Sequence, residues 1–256
     1  VGKRTIVIPD THAHPEFHND RAVWLGKYLK DRRPDEVIHI GDGPDLPSLS
    51  DHDKGKARFS GRNYKADIDS YLDFEEKQWH YLKKSKKRLP KRVYLRGNHD
   101  YRITRALDAQ PELEGTISLD DLNQEYFYDE VIDYDAGTPG IYRSDGISYA
   151  HYFVSGVMGR PLGGEHPAYS LLTKKFGSCT AGHIHTYDHC VRLGPNDKKI
   201  MGLVCGVYQD YRSPWAGVVN DIWHSGIVEK NNVEDGQYDL TWVSIDALKK
   251  EYDENK

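Results

Sequence analysis

The chain has 256 residues, 29% of them charged, with a formal net charge of −5 and a mean hydropathy of −0.76. That length supports one domain with a substantial core, and no apolar run reaches the 18 or so residues that a helical membrane span needs. The acidic balance argues against a protein coated for nucleic-acid binding, although net charge hides a local basic groove. Three cysteines (Cys179, Cys190, Cys205) are too few and too scattered for a disulfide framework or a cysteine zinc site. With no charged-then-apolar leader before the first strand, the expected location is a reducing cytoplasm.

Taken in order, the apolar runs Thr5-Ile6-Val7-Ile8, Val37-Ile38-His39-Ile40 and Val93-Tyr94-Leu95 are short and bounded by Gly, Pro and Asp. They read as buried strands. Between the first two, Asp20 to Lys30 has helical patterning with Asn19 or Asp20 as N-cap, which makes a β-α-β unit with a parallel sheet. A longer helix is expected from Ala66 to Arg88. Its acids (Asp67, Asp69, Asp73, Glu75, Glu76) come early and its bases (Lys83, Lys84, Lys86, Lys87, Arg88) late, as the helix dipole favours. That basic run reads as a solvated helix end.

After Asp100 the pattern predicts helices over 101–109 and 119–126. Strands follow at 146–150, 178–181, 200–204, 224–228 and 238–243, and Ser244 caps a last helix over 245–252. The whole is expected to be one α/β domain, residues 1–256, with two sheets. Early strands are divided by helices, later ones are antiparallel, and a loop-plus-helix insertion occupies 46–90.

Polar words stand at the ends of these strands: Asp10-Thr11-His12, Gly41-Asp42-Gly43-Pro44-Asp45, Gly97-Asn98-His99-Asp100, His151, and Gly182-His183-Ile184-His185. A sheet delivers such residues to a common edge. Asp-x-His and His-x-His set two ligand groups on one side of an extended segment. A carboxamide followed directly by a histidine has little structural purpose. Mixed imidazole, carboxylate and carboxamide ligands suit Mn, Fe, Ni or Zn better than Mg or Ca. Two such ions, two aspartates and a bridging hydroxide would leave the pocket with a net charge of about +1, attractive to a phosphate ester.

These words, D-x-H, GD-x-x-D, GNH-D, H and GH-x-H, resemble the signature blocks of the calcineurin-like metallophosphoesterase superfamily. The likeness runs from Asp10 to His185. The stretches Pro47–Ser50, Gly61–Asp67 and Gly159–Gly163 are similar to compact members carried by bacteriophage genomes. The resemblance implies a β-sandwich of two mixed sheets flanked by helices. It also implies two divalent transition metal ions, manganese foremost, and a metal-bridging hydroxide that attacks phosphorus. One ion would take Asp10, His12 and His185, the other Asn98, His151 and His183, with Asp42 bridging. His99 would protonate the leaving alkoxide, and we assign Asp45 as its orienting carboxylate.

Other histidines have blander readings. His14 and His18 belong to a solvated loop, and His39 is a hydrogen-bonded core residue. His52, His80, His166, His189 and His224 are surface residues by default. Cys179 and Cys205 are small hydrophobes, and Trp79 is a core anchor.

The loop 48–65 interleaves bases with aromatics. Arg58, Arg62 and Tyr64, with Arg160 from a Gly-rich stretch after His151, are the expected substrate clamps. This favours a phosphodiesterase acting on nucleic acid or nucleotide diesters, with no membrane partner. A phosphomonoesterase is the alternative. Its protein-phosphatase branch is disfavoured because Leu46-Pro47 follows Asp45 where that branch carries Arg-Gly. A binding scaffold without turnover is the third reading, and the complete ligand words weigh against it.

Overall fold

The computed structural model describes residues 2–85 and 88–253. Lys86 and Lys87 of the expected basic helix end lie outside the described residues.

Among the described residues the α-helices are α1 (Asp20–Arg32), α2 (Tyr64–Lys84), α3 (Arg102–Ala109), α4 (Gln124–Phe127), α5 (Pro167–Lys175) and α6 (Ile245–Tyr252). The first strands are β1 (Lys3–Ile8), β2 (Glu36–His39), β3 (Lys91–Leu95) and β4 (Glu130–Ile132). Two small ladders come from β5 (Tyr134–Asp135) with β6 (Thr138–Pro139), and from β9 (Val154–Ser155) with β10 (Arg160–Pro161). Between and after them run β7 (Tyr142–Ser144), β8 (Ile147–Ala150), β11 (Ser178–Ala181), β12 (Tyr187–Leu193), β13 (Lys199–Cys205), β14 (Gly226–Glu234) and β15 (Gln237–Ser244).

One sheet has the order β15-β14-β1-β2-β3-β4, the other β12-β13-β11-β8-β7. In the first, β1 to β4 run parallel, joined through α1 and α2, and β14 is antiparallel to both its neighbours. In the second, β11 is parallel to β8 and β13, whereas β12 and β7 pair antiparallel. Both sheets are therefore mixed. This corrects the expectation of antiparallel later strands: α5 carries the chain from β8 back to β11, a crossover that returns it in the same direction.

Period-two alternation in the strands sets the layers. Val7, Ile38, Ile40, Val93 and Leu95 from one sheet meet Tyr149, Met201, Leu203 and Cys205 from the other in a central core. Ile6, Ile8, Val37 and Tyr94 point the opposite way, onto α1, α2 and α6. On the far side, Cys179, Ala181 and Val204 face Leu171 and Leu172 of α5. The result is a sandwich of two mixed sheets with helices on both outer faces.

Most helix ends follow their sequence signals. Asn63 caps α2 by accepting from the Ala66 amide, and Ser244 caps α6 by accepting from Ala247. Asn19 precedes α1 without capping it, because its amide donates to Ser70 O and Asp73 of α2. The helix expected over 119–126 is broken into a 3-10 turn and α4, with Asn123 between them at φ +49°. Among the described residues no helix is long and apolar enough to cross a membrane.

Candidate metal centre

The parallel strands β1, β2, β3, β8 and β11 end along one edge of the sandwich, where the turns after them hold the polar words. Asp10 is fully buried there, and both its oxygens accept from the His183 amide, at 3.2 and 3.0 Å. His185 Nε2 lies 3.2 Å from Asp10 Oδ2 and 3.0 Å from His12 Nε2. Adjacent ligands about 2.1 Å from a common octahedral centre stand about 3 Å apart, so this spacing fits a shared cation.

A second cluster mirrors the first. His151 Nε2 is 3.0 Å from Asn98 Oδ1 and 3.3 Å from Asp42 Oδ2. Its Nδ1 donates to Ile40 O at 3.0 Å, which leaves the Nε2 lone pair for a ligand. Ligand atoms of Asp10, His12 and His185 form one group within 4.8 Å of one another, and those of Asp42, His151 and His183 form another. A third group, His12, Asp42 and His99, spans the two. The donor set thus fits two neighbouring cations with Asp42 between them.

The backbone is bent to achieve this. His12, Asp42, His183 and His185 all have positive φ, at +42°, +50°, +69° and +66°. Side chains other than glycine's rarely adopt that region, and such strain concentrates where surrounding structure enforces a site. The flanking glycines make room for it. A Cβ on Gly97 or Gly182 would collide with Asp42 Oδ1 or Asp10 Oδ1 respectively.

Asp100, the last residue of its word, supports these turns. Its Oδ2 accepts from the amides of Asp42 (3.1 Å) and Gly97 (2.9 Å). Its Oδ1 accepts from Tyr94 Oη and Gln124 Nε2, both at 2.8 Å. One buried carboxylate therefore ties the Asp42 turn to the Asn98-His99 turn.

Around His99 a smaller network forms. Its Nδ1 lies 3.0 Å from Asp45 Oδ1 and 2.9 Å from Asp45 O. Arg102, at the start of α3, donates from Nη2 to His99 Nε2 at 3.0 Å and from Nη1 to Asp45 O at 2.6 Å. A guanidinium only donates, so Nε2 carries the lone pair and the proton sits on Nδ1, facing Asp45. Asp45 Oδ1 also stands 3.4 Å from His12 Nδ1.

The electrostatics suit ligation. Burial, then the His151 charge, pushes His183 down to about 4, and burial with the His99 charge lowers His12. Both rings are therefore neutral near pH 7, as ligands must be. Burial alone would lower His151, but Asp42 and Asp10 outweigh it and raise it to about 9, so without a cation the ring holds a proton that ligation must displace. Burial likewise opposes ionisation of Asp45, yet bonds from His12 and His99 and the charge of Arg102 hold it well below the carboxylate range.

Several expected residues sit differently. His14 is half-buried, with Nε2 3.7 Å from Asp45 Oδ2, not out in a solvated loop. His39 is fully buried and held by Thr11 Oγ1 and the Gly41 amide, as expected of a core residue. His189 is half-buried, whereas His18, His52, His80, His166 and His224 are exposed. Cys179, Cys205 and Trp79 are buried. Arg58 and Arg62 both pair with Asp53, at 2.6 and 2.8 Å, and Arg62 Nη1 also donates to Pro47 O. Tyr64 donates to Asp121 Oδ2 at 2.8 Å, and Arg160 is exposed on the β9–β10 hairpin.

Sequence reasoning missed Arg102, Tyr211 and Trp223. Arg102 had a signal: three residues after His99 at a helix start, it shares that residue's side. Tyr211 Oη donates to His12 O at 2.6 Å, and the Trp223 ring meets His185 at 4.3 Å between centroids. Their distance in sequence from any ligand word left no signal.

Comparison with known proteins agrees with this geometry. The calcineurin-like phosphoesterase family matches residues 3–187, a span that contains every residue of both ligand clusters. The Gene 54 protein of Mycobacterium phage L5 is 41% identical over 63 residues, and the match covers only 24% of this chain and 24% of that protein. With more than half of its length matched, the chain belongs to the calcineurin-like phosphoesterase family.

Proposed function

We propose that this protein is a dinuclear phosphodiesterase acting on nucleic-acid or nucleotide diesters, with manganese as its working metal. One observation carries the preference for diesters: a partly exposed indole stands against a candidate ligand. Trp223 meets His185 at 4.3 Å, and Tyr152 meets His183 at 4.8 Å. The partly exposed Trp223 suits a base-bearing arm of a diester better than a bare phosphate monoester, whereas Tyr152 is buried against Tyr134 and positions His183.

Asp10, His12 and His185 would hold one ion, Asn98, His151 and His183 the other, and Asp42 both. When bound, the two cations supply an acidic water as nucleophile and positive charge for the phosphoryl oxygens. The remaining steps belong to this chain's own side chains. His99 Nε2, 3.9 Å from Asp42 Oδ2, holds a lone pair while Arg102 donates to it; once Arg102 turns away, Nε2 takes up a proton from solvent and delivers it to the departing alkoxide. Asp45 holds the opposite nitrogen and keeps the ring turned. Arg102 moves its guanidinium from Nε2 to a phosphoryl oxygen as substrate arrives, a contact its planar fork is shaped for.

The test is a manganese-supplemented comparison of bis-nitrophenyl phosphate with nitrophenyl phosphate. The expected result is a higher kcat/KM on the diester. Preference for the monoester overturns the reading.

A further inference from the structure

A cavity of about 290 Å³ opens beside the metal centre, at the lower end of the range for small-ligand sites. Trp24 of α1, the segment 209–212, Trp223, and the start of α6 at Ile245, Asp246 and Lys249 line it. Two of its walls touch residues of the first ligand cluster from the other side. Trp223 packs on His185, and Tyr211 donates to His12 O. The cavity is therefore one side chain removed from the metal edge.

Gln209 gives it a polar anchor. The residue is only 2% exposed, and its Nε2 donates to Tyr211 O at 2.9 Å and Ser213 Oγ at 3.2 Å. A backbone carbonyl can only accept, so this contact fixes which end of the amide is nitrogen. The other end, Oε1, is buried with no hydrogen-bond partner among the described residues. A buried acceptor without a donor is costly, so Oε1 is free to accept from a donor outside the chain, an N–H or an O–H. Around it the lining is mostly polar, with Asp210, Arg212, Asn220, Ser225, Asp246 and Lys249; Trp24 is buried with Lys249 over its ring, so Trp223 is the indole open to a flat ring.

We propose that this cavity receives a nucleobase of the substrate: a planar nitrogen heterocycle that stacks on Trp223 and donates an N–H to Gln209 Oε1. The proposal rests on the diesterase reading above and adds to it where one arm of the diester lies. It also accounts for the segment 209–225, which returns from β13 across the metal edge before β14 begins.

The test separates base binding from turnover. Adenosine and thymidine, which carry no phosphate, are titrated into the manganese-loaded protein and followed by calorimetry. Saturable binding is expected, weaker by roughly tenfold or more in Trp223→Ala and in Gln209→Leu, and largely retained in Trp223→Phe. Thermal melting of each variant identifies any loss that comes from unfolding. No saturable binding, or equal binding by the wild type and Trp223→Ala, overturns the proposal. Bis-nitrophenyl phosphate turnover by the same preparation is the separate readout. Turnover without nucleoside binding sinks the base site alone, and nucleoside binding without turnover sinks the diesterase reading alone.

Discussion

Asp45 Oδ1 lies 3.0 Å from His99 Nδ1 and 3.4 Å from His12 Nδ1, so one carboxylate steers both the proposed proton donor and a candidate metal ligand. The two duties separate by leaving group. His99→Ala is expected to slow hydrolysis of alkyl diesters by about a hundredfold or more, as removal of a general acid does, and nitrophenyl esters far less. Nitrophenolate departs without a proton. Steady-state rates on the two ester types check this, and equal losses would remove His99 from the acid role. Asp45→Asn should reproduce the selective loss and also weaken metal binding through His12.

Metal content tests the cluster assignment directly. Asn98 and His183 belong to the same proposed ion, with Asn98 Oδ1 3.0 Å from His151 Nε2 and His183 grouped with His151 and Asp42. Changing either to Ala should lower bound manganese from about two ions per chain towards one. Asp42→Ala touches both groups and should lower it further. Elemental analysis after gel filtration reads the result, and two ions retained in His183→Ala would break the assignment.

Arg102 is fixed by Asp45 O at 2.6 Å and Leu46 O at 3.3 Å as well as by His99. Its guanidinium is thus ready-placed beside His99, with little entropy left to lose in the phosphate contact proposed for it. Arg102→Ala should raise KM or lower kcat/KM by about ten- to a hundredfold, the range for a hydrogen bond to a charged group. Arg102→Lys keeps the charge but loses the fork, and it should recover only part of that loss.

The strands and the clustering of the polar words at their ends were legible because they rest on short-range signals. Val7, Ile38 and Val93 alternate with their neighbours as strand residues do, and each ligand word follows its strand within a few residues. What escaped is long-range. Nothing near Ser178 says that β11 runs parallel to β8 and β13, since direction is set by the α5 crossover. Nothing near Tyr211 or Trp223 announces a partner more than 30 residues upstream. The clamp residues illustrate the converse. Arg58 and Arg62 look available in sequence, but Asp53 lies only five and nine residues away and takes both. Buried polar supports such as Asp100 and Glu75 are equally silent, because their role depends on who surrounds them. Glu75, raised to about 7 by burial, accepts from Gln78, Trp79 and Tyr128 around it.

Lys230 gives the last prediction. It is fully buried in β14 between the sheets, donates to Thr180 Oγ1 at 2.5 Å, and lies over the faces of Tyr149 and Tyr238 at 4.5 and 4.3 Å. No carboxylate neutralises it at contact distance among the described residues, and burial lowers its pKa to about 7. Its folded value therefore lies below its unfolded value of 10.5. Between those two pH values the unfolded chain binds more protons, so stability rises with pH across that window. The lysine's contribution is complete above the unfolded pKa and is lost as pH falls through about 7. The full span is on the order of 3–5 kcal/mol, and the two aromatic faces reduce it. Lys230→Met removes the titration. Urea unfolding at pH 6, 8 and 10 should show the wild type gaining on the variant as pH rises, whereas parallel profiles would mean that Lys230 titrates near its ordinary value in the folded protein.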